Sequence, residues 1–415
     1  MAGCRCRSGP YAEGCAWSAV RGDRPCGAEA MNVLFLSQAR QIEDQGSYHR
    51  AFMELHARGR IASYRNIPYL GVARERGWPQ LWRDVIGHCS DVPTDLVFFQ
   101  FYHGGGVESA AACVHQLRAL KHVPLVAVSS GDLFSASAWV RPPPRPFAEL
   151  SVAADVTFMT CMGSVAEFLR RQGARRLTLL PHGYPTDLFP PQPASPVNDV
   201  EFDVVMVASR GRILNPFMYT TWGALRRQRV ADRLFRRYGK RFALFGHGWR
   251  GHPAWQGPVE YRKQIEAFRR GRVVVDGPPP FSQVYYASDR PFYVAGAGTP
   301  LVQFHTPRFE AIFKRDLHAS YIDHDADTVK VCDSVLAIDE AELRRRVEQT
   351  VRLVMGRHTL VHRAETIIRA CEGIQAGRSG PDAGKAVEVP LPLFHEDADE
   401  CEERRSALVN WDVPA

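Results

Sequence analysis

The sequence has no apolar run approaching the roughly 20 residues that a membrane-spanning helix needs, so no span is expected. No Cys-x-x-Cys spacing occurs among its ten cysteines, which removes the commonest zinc-ribbon pattern, and no metal site is expected. Cys4, Cys6, Cys15 and Cys26 crowd the first 26 residues, and the other six are scattered singly. Single cysteines without pairing logic fit a reducing compartment, and a cytoplasmic location is the expectation. A basic patch interleaved with aromatics, the footprint of a nucleic-acid reader, is missing as well, so no nucleic-acid partner is expected. The net charge of +7 comes instead from arginine-rich segments spread along the chain. That distribution suits anionic ligands and leaves peripheral contact with an anionic membrane open.

What is present is a chain of 415 residues, 45% hydrophobic and 23% charged, in the range of a soluble globular protein and too long for one comfortable core. Two domains are expected. The first 30 residues lack the continuous apolar core of a signal peptide. Met31 opens a clean strand, Asn32 to Leu36, so translation is expected to begin there and residues 1–30 to be disordered or absent. From that point short apolar strands alternate with amphipathic stretches, the pattern of parallel sheets covered by helices. Ser47 reads as an N-cap for a helix carrying Tyr48, Phe52 and Leu55, and Gly59 as its stop. The strands Leu96–Phe101, Leu125–Val128, Val156–Met159 and Leu177–Leu180 follow. Arg141 to Pro146 reads as a stiff extended loop. The expected division is a domain over 31–190, a proline-rich linker over 191–199, a second domain over 200–372, and a polar, mobile tail over 373–415.

In open α/β sheets, ligands bind at the carboxyl ends of strands. Two such loops in the first half hold candidate bases: Tyr102-His103-Gly104-Gly105-Gly106 and Ser129-Ser130-Gly131-Asp132. His103 or Asp132 could take a proton from an acceptor hydroxyl. Taken singly, each reads first as a turn or cap residue. In the second half, the strand Phe202–Ala208 ends in Ser209-Arg210-Gly211-Arg212. The helix after it carries Arg226, Arg227, Arg229, Arg233, Arg236 and Arg237, read as a solvated face.

The densest stretch is Tyr285 to Phe304, where Ser288-Asp289-Arg290 feeds a run of small residues and Gly298-Thr299-Pro300 turns into the strand Leu301–Phe304. A helix start beside a cation is a natural diphosphate site. Gly296 and Gly298 leave room for close approach of a ligand or of a neighbouring strand.

This stretch resembles the nucleotide-sugar loop of the CgeB-like glycosyltransferases. Phe245-Gly246-His247-Gly248-Trp249 is similar to that family's glycine-rich strand end, and Arg357-His358-Thr359 through Arg363 to its closing His-Thr-x-x-x-Arg signature. The run from Val259 to Asp276 resembles the stretch between, and the likeness covers about residues 200–370 in order. It implies a GT-B fold, two Rossmann-like α/β domains facing across a cleft. The implied activity is transfer of a sugar from a nucleotide diphosphate sugar to the hydroxyl of a saccharide, lipid or protein acceptor, with no cofactor and no metal. The absence of an Asp-x-Asp at the donor loop agrees with that. The implied donor contacts are Arg210, Gly211, Gly246, Gly248, Trp249, Ser288, Asp289, Arg290, Gly298 and Thr299. Because an acidic residue commonly follows the third strand of the first domain in that family, Asp132 is favoured over His103 as the base. One departure stands out: Tyr293 replaces the usual Glu after Phe292, a carboxylate expected to hold the donor ribose. It keeps open a second reading, a sugar-nucleotide-binding protein of the same fold that has lost turnover.

Overall fold

The computed structural model describes residues 30–41, 46–102, 110–132, 142–193, 200–211, 219–280, 283–286 and 288–379. The expectations for His103, Arg212 and residues 1–29 lie outside them.

The first domain is a six-stranded parallel sheet in the order β2-β1-β3-β4-β5-β6. Its strands are β1 (Asn32–Ser37), β2 (Ser63–Pro68), β3 (Leu96–Phe99), β4 (Leu125–Ser129), β5 (Val156–Met159) and β6 (Leu177–Leu179). β3, β4 and β5 are buried throughout, as strands covered on both faces must be. β2 was not visible as a strand because it lies at the sheet edge and alternates exposed, polar positions. Helices α1 (Gly46–Ala57), α2 (Tyr69–Arg76), α3 (Trp78–Asp91), α4 (Ala110–Leu117), α5 (Arg145–Ala153) and α6 (Ser164–Arg171) connect the strands. Two boundaries differ from the sequence reading. α1 begins at Gly46, so Ser47 lies inside it rather than capping it, and Arg145 and Pro146 form the first turn of α5, where proline's fixed φ suits a helix start.

The second domain is also parallel and six-stranded, in the order β12-β11-β10-β7-β8-β9. It is built from β7 (Phe202–Val207), β8 (Phe242–Phe245), β9 (Trp255–Gly257), β10 (Gly271–Asp276), β11 (Leu301–Phe304) and β12 (Ser320–Ile322). Helices α7 (Tyr219–Tyr238), α8 (Gln264–Arg269), α9 (Arg290–Gly296), α10 (Thr328–Leu336) and α11 (Glu340–Arg357) surround it. The last helix, α12 (Leu360–Ser379), crosses back and packs against α1. It runs past Glu372, with Ile374 buried. Arg60, beyond α1, holds it through Glu365 at 2.9 Å and Glu372 at 2.5 Å.

The arginine face of α7 is not simply solvated. Arg226 pairs with Asp325 at 2.7 Å and Arg237 with Asp333 at 3.1 Å, so the charges join α7 to the β12–α10 region. No helix among the described residues is long and apolar enough to cross a membrane.

Candidate active site between the two domains

Two backbone bridges fasten the domains beside each other. Met162, after β5, pairs antiparallel with Val284, and Tyr184, after β6, pairs parallel with Thr359. The second bridge is reinforced by Arg363, whose side chain is fully buried without a carboxylate partner among the described residues. Its guanidinium donates to the carbonyls of Pro181 (2.7 Å), His182 (3.0 Å) and Arg357 (3.1 Å), and meets His358 Nδ1 at 2.7 Å. Burial in this uncharged setting pulls the Arg363 pKa down to about 10. The same burial, with Arg363 alongside, drives His358 well below the usual imidazole range. The His-Thr-x-x-x-Arg segment is thus the pin between the domains.

That pin aims His182 at the carboxyl end of the first sheet. Its Nε2 lies 3.0 Å from Asp132 Oδ1, with the His182 side chain 17% exposed and that of Asp132 34%. The loop carrying Asp132 is held by β5, since Thr160 N donates to Ser130 Oγ and Thr160 Oγ1 to the Gly131 carbonyl, both at 3.0 Å. Burial raises the Asp132 pKa, but the hydrogen bond and charge of His182, the Arg290 charge and a hydrogen bond from Tyr286 outweigh it and hold the carboxyl below its ordinary value. Burial likewise opposes protonation of His182, yet Asp132, with Asp289 further off, lifts its pKa above the ordinary value. Sequence reasoning did not single out His182, although it too follows a strand of the same sheet.

Facing this pair is Arg290, the first residue of α9. It is not a free surface cation: Nη1 is 2.5 Å from Asp276 Oδ1 at the end of β10, and both side chains are largely buried. Arg227 of α7 reaches the same place, donating to the carbonyls of Ser209 (2.8 Å) and Pro278 (3.1 Å). Burial and the Arg290 charge push the Arg227 pKa down, even with Asp276 near. Arg290 and Arg227 thus gather around the buried Asp276, and although burial lowers the Arg290 pKa, Asp276 and Asp289 outweigh it and hold that guanidinium charged.

The remaining sequence candidates fall into three groups. Ser288 and Asp289 precede Arg290 directly; Ser288 Oγ accepts from Arg290 N at 3.4 Å, and Asp289 holds the N-cap position without a side-chain cap bond. Arg210 and Gly211 follow β7 beside this cluster, and Gly246, Gly248 and Trp249 shape their loop from behind. A Cβ on Gly246 would stand 2.4 Å from the Ala208 carbonyl oxygen, which leaves only glycine there. The Trp249 indole donates to that same oxygen at 2.5 Å, and the indole is buried. Gly298 and Thr299 belong elsewhere, since they precede β11 and so lie at the amino ends of the strands, away from Arg290. Thr299 lines a groove there with Asp316, His318 and Arg346. The close approach at Gly296 is to neither a ligand nor a strand. Its missing Cβ would stand 2.3 Å from ring atoms of Tyr184 in the first domain. Tyr293, in place of the expected Glu, is buried with its hydroxyl 2.6 Å from that of Tyr261. Among the described residues no group of three His, Cys, Asp or Glu side chains is placed to hold a metal ion.

Residues 226–369 match a family model described as glycosyl transferase-like. No curated protein sequence matches this chain significantly. Solved structures similar to it include sucrose-phosphate synthase from Thermosynechococcus elongatus, with a TM-score of 0.53 and 12% identity over 81% of this chain and 97% of that one. HepE from Anabaena in complex with UDP gives 0.51 and 13%, over 81% and 98%. An α-glucosyltransferase in complex with UDP and a 13-mer DNA containing an HMU base gives 0.53 and 12%, over 78% and 95%. With its two parallel sheets joined by an interdomain pin, the chain has the GT-B fold of glycosyltransferases, and its second domain carries a glycosyl transferase-like segment.

Proposed function

We propose that the protein is a metal-independent glycosyltransferase, CgeB-like in its second domain, that moves a sugar from a nucleotide diphosphate sugar to an acceptor hydroxyl. The observation that carries this reading is the pair of guanidiniums, Arg227 and Arg290, gathered around Asp276 at the carboxyl ends of the second sheet and facing the Asp132–His182 pair of the first domain. A diphosphate placed at the cluster would meet two guanidiniums, which are suited to bidentate contact with its oxygens. The same cations would stabilise the charge that grows on the leaving diphosphate as the glycosidic bond breaks. Arg210 and Gly211 stand beside the cluster and would complete the cradle. Across the interface, the acceptor hydroxyl would give its proton to the Asp132–His182 pair, which titrates as a unit.

UDP is the nucleotide bound in the solved structures of the HepE and α-glucosyltransferase neighbours, which makes UDP-sugars the first donors to try. The test is incubation with a panel of nucleotide sugars, with and without chelator, reading released nucleoside diphosphate. Release that persists in chelator is expected. No release from any donor would sink the reading, and release that chelator abolishes would remove its metal-independent part.

A further inference from the structure

We infer that the first domain carries an anion-binding subsite for the acceptor, built from Arg40 and Arg74, so that the acceptor bears a phosphate or carboxylate group; this rests on the glycosyltransferase reading above. A pocket of about 320 Å³ opens beyond β1, lined by Arg40, Gln41, Gly71, Arg74 and Glu75. Two guanidiniums against one carboxylate leave one net positive charge among the described residues of its lining. Neither Arg40 nor Arg74 forms an ion pair among the described residues, whereas Arg76 on the same helix pairs with Asp84 at 2.5 Å.

The backbone segments that carry the two arginines are fastened together. Gly71 N donates to the Ala39 carbonyl at 3.0 Å, and the loop that carries Arg40 lies so close to α2 that a Cβ on Gly71 would stand 1.9 Å from the Arg40 carbonyl oxygen. The loop after β1 and the helix carrying Arg74 are thereby fastened into one unit.

Position supplies the role. Only β3 separates β1 from β4, and two strand spacings make roughly 10 Å between the carboxyl ends of β1 and β4. An acceptor anchored by its anion at Arg40 and Arg74 would extend along the sheet's carboxyl edge toward Asp132.

The test is titration of inorganic phosphate and of glycerol 3-phosphate into the full chain with saturating UDP present, so that the cluster at Arg290 is already filled. Arg40→Gln and Arg74→Gln should each weaken binding by about tenfold, and the double variant should abolish it at millimolar ligand, with the melting temperature unchanged. Gly71→Ala, which displaces the loop without touching a charge, should weaken binding as Arg40→Gln does. Cosedimentation with phosphatidylglycerol vesicles, against phosphatidylcholine vesicles, separates the sources. Arginine-dependent capture by the anionic vesicles assigns the phosphate to a lipid headgroup, and binding of the soluble phosphates alone assigns it to a soluble acceptor. Phosphate affinity equal in the double variant and the wild type overturns the subsite. Absence of UDP binding by the wild type would instead strike the donor reading, and it leaves the arginine dependence of phosphate binding as a separate result.

Discussion

Replacing Arg363 by alanine is expected to loosen the junction between the domains more than any other single change. Four acceptors lose their donor at once: the carbonyls of Pro181, His182 and Arg357, and Nδ1 of His358. The bonds to Pro181 and His358 are buried, and those to His182 and Arg357 partly so. A hydrogen bond to a charged group contributes about 1.5–3 kcal/mol, and such bonds around one side chain do not add. Against the loss stands relief of the burial that pulls the Arg363 pKa down to about 10, so the net cost is set at about 3–5 kcal/mol, roughly the worth of two such bonds. For domains of this size each kcal/mol shifts Tm by about 2–4 °C, so a fall of roughly 6–20 °C is expected by calorimetry. Arg363→Lys keeps the charge but not the planar fork and should recover only part of it. Because the pin sets the position of His182, the rate of sugar transfer should fall with stability. A drop in Tm below about 2 °C for Arg363→Ala would refute the pin.

Arg290→Ala should lower both stability and UDP affinity, because it leaves Asp276 buried and unpaired; adding Asp276→Asn should restore the melting temperature but not the binding. If UDP binds the single variant as tightly as wild type, the cluster is not the diphosphate site. The Asp132–His182 pair gives a signed pH dependence. The raised His182 pKa contributes stability that is whole below its ordinary 6.5 and fades as pH rises through the folded value, and the lowered Asp132 pKa contributes stability present above 3.8 and lost below it. Urea unfolding should accordingly show His182→Gln more destabilised at pH 6 than at pH 9, and an equal difference at both would refute the coupling. Tyr293→Phe should cost about 1 kcal/mol through loss of its bond to Tyr261 and change UDP affinity by less than about twofold. A tenfold loss in calorimetric titration would place the hydroxyl on the donor.

The parallel strands were legible because burial on both faces writes them as unbroken apolar runs, as in Val156–Met159 and Leu301–Phe304. β2 was not, since Ser-Tyr-Arg-Asn-Ile-Pro carries the polar pattern of an edge. In the site, Asp132 and Arg290 could be found from their places after a strand and at a helix start. Their partners could not, because those contacts close over 50 residues for Asp132 with His182 and over 14 for Arg290 with Asp276. Arg226 misled for the same reason, its carboxylate lying 99 residues away. Gly298 and Thr299 were placed among the donor contacts by the resemblance, and α9, about 10 Å long, carries them to the other end of the sheet.

The contact between Gly296 and Tyr184 has a consequence for how sequences of this kind can change. The tyrosine ring occupies the space where any other residue at 296 would put its first side-chain carbon, at 2.3 Å. The two positions sit in different domains and far apart in the chain, yet neither can be exchanged freely while the other stays. Alanine at 296 requires a smaller residue at 184, and in homologous sequences the two should therefore vary together. A small residue in one domain thus records the size of a ring in the other, and with it how closely the two halves are allowed to meet.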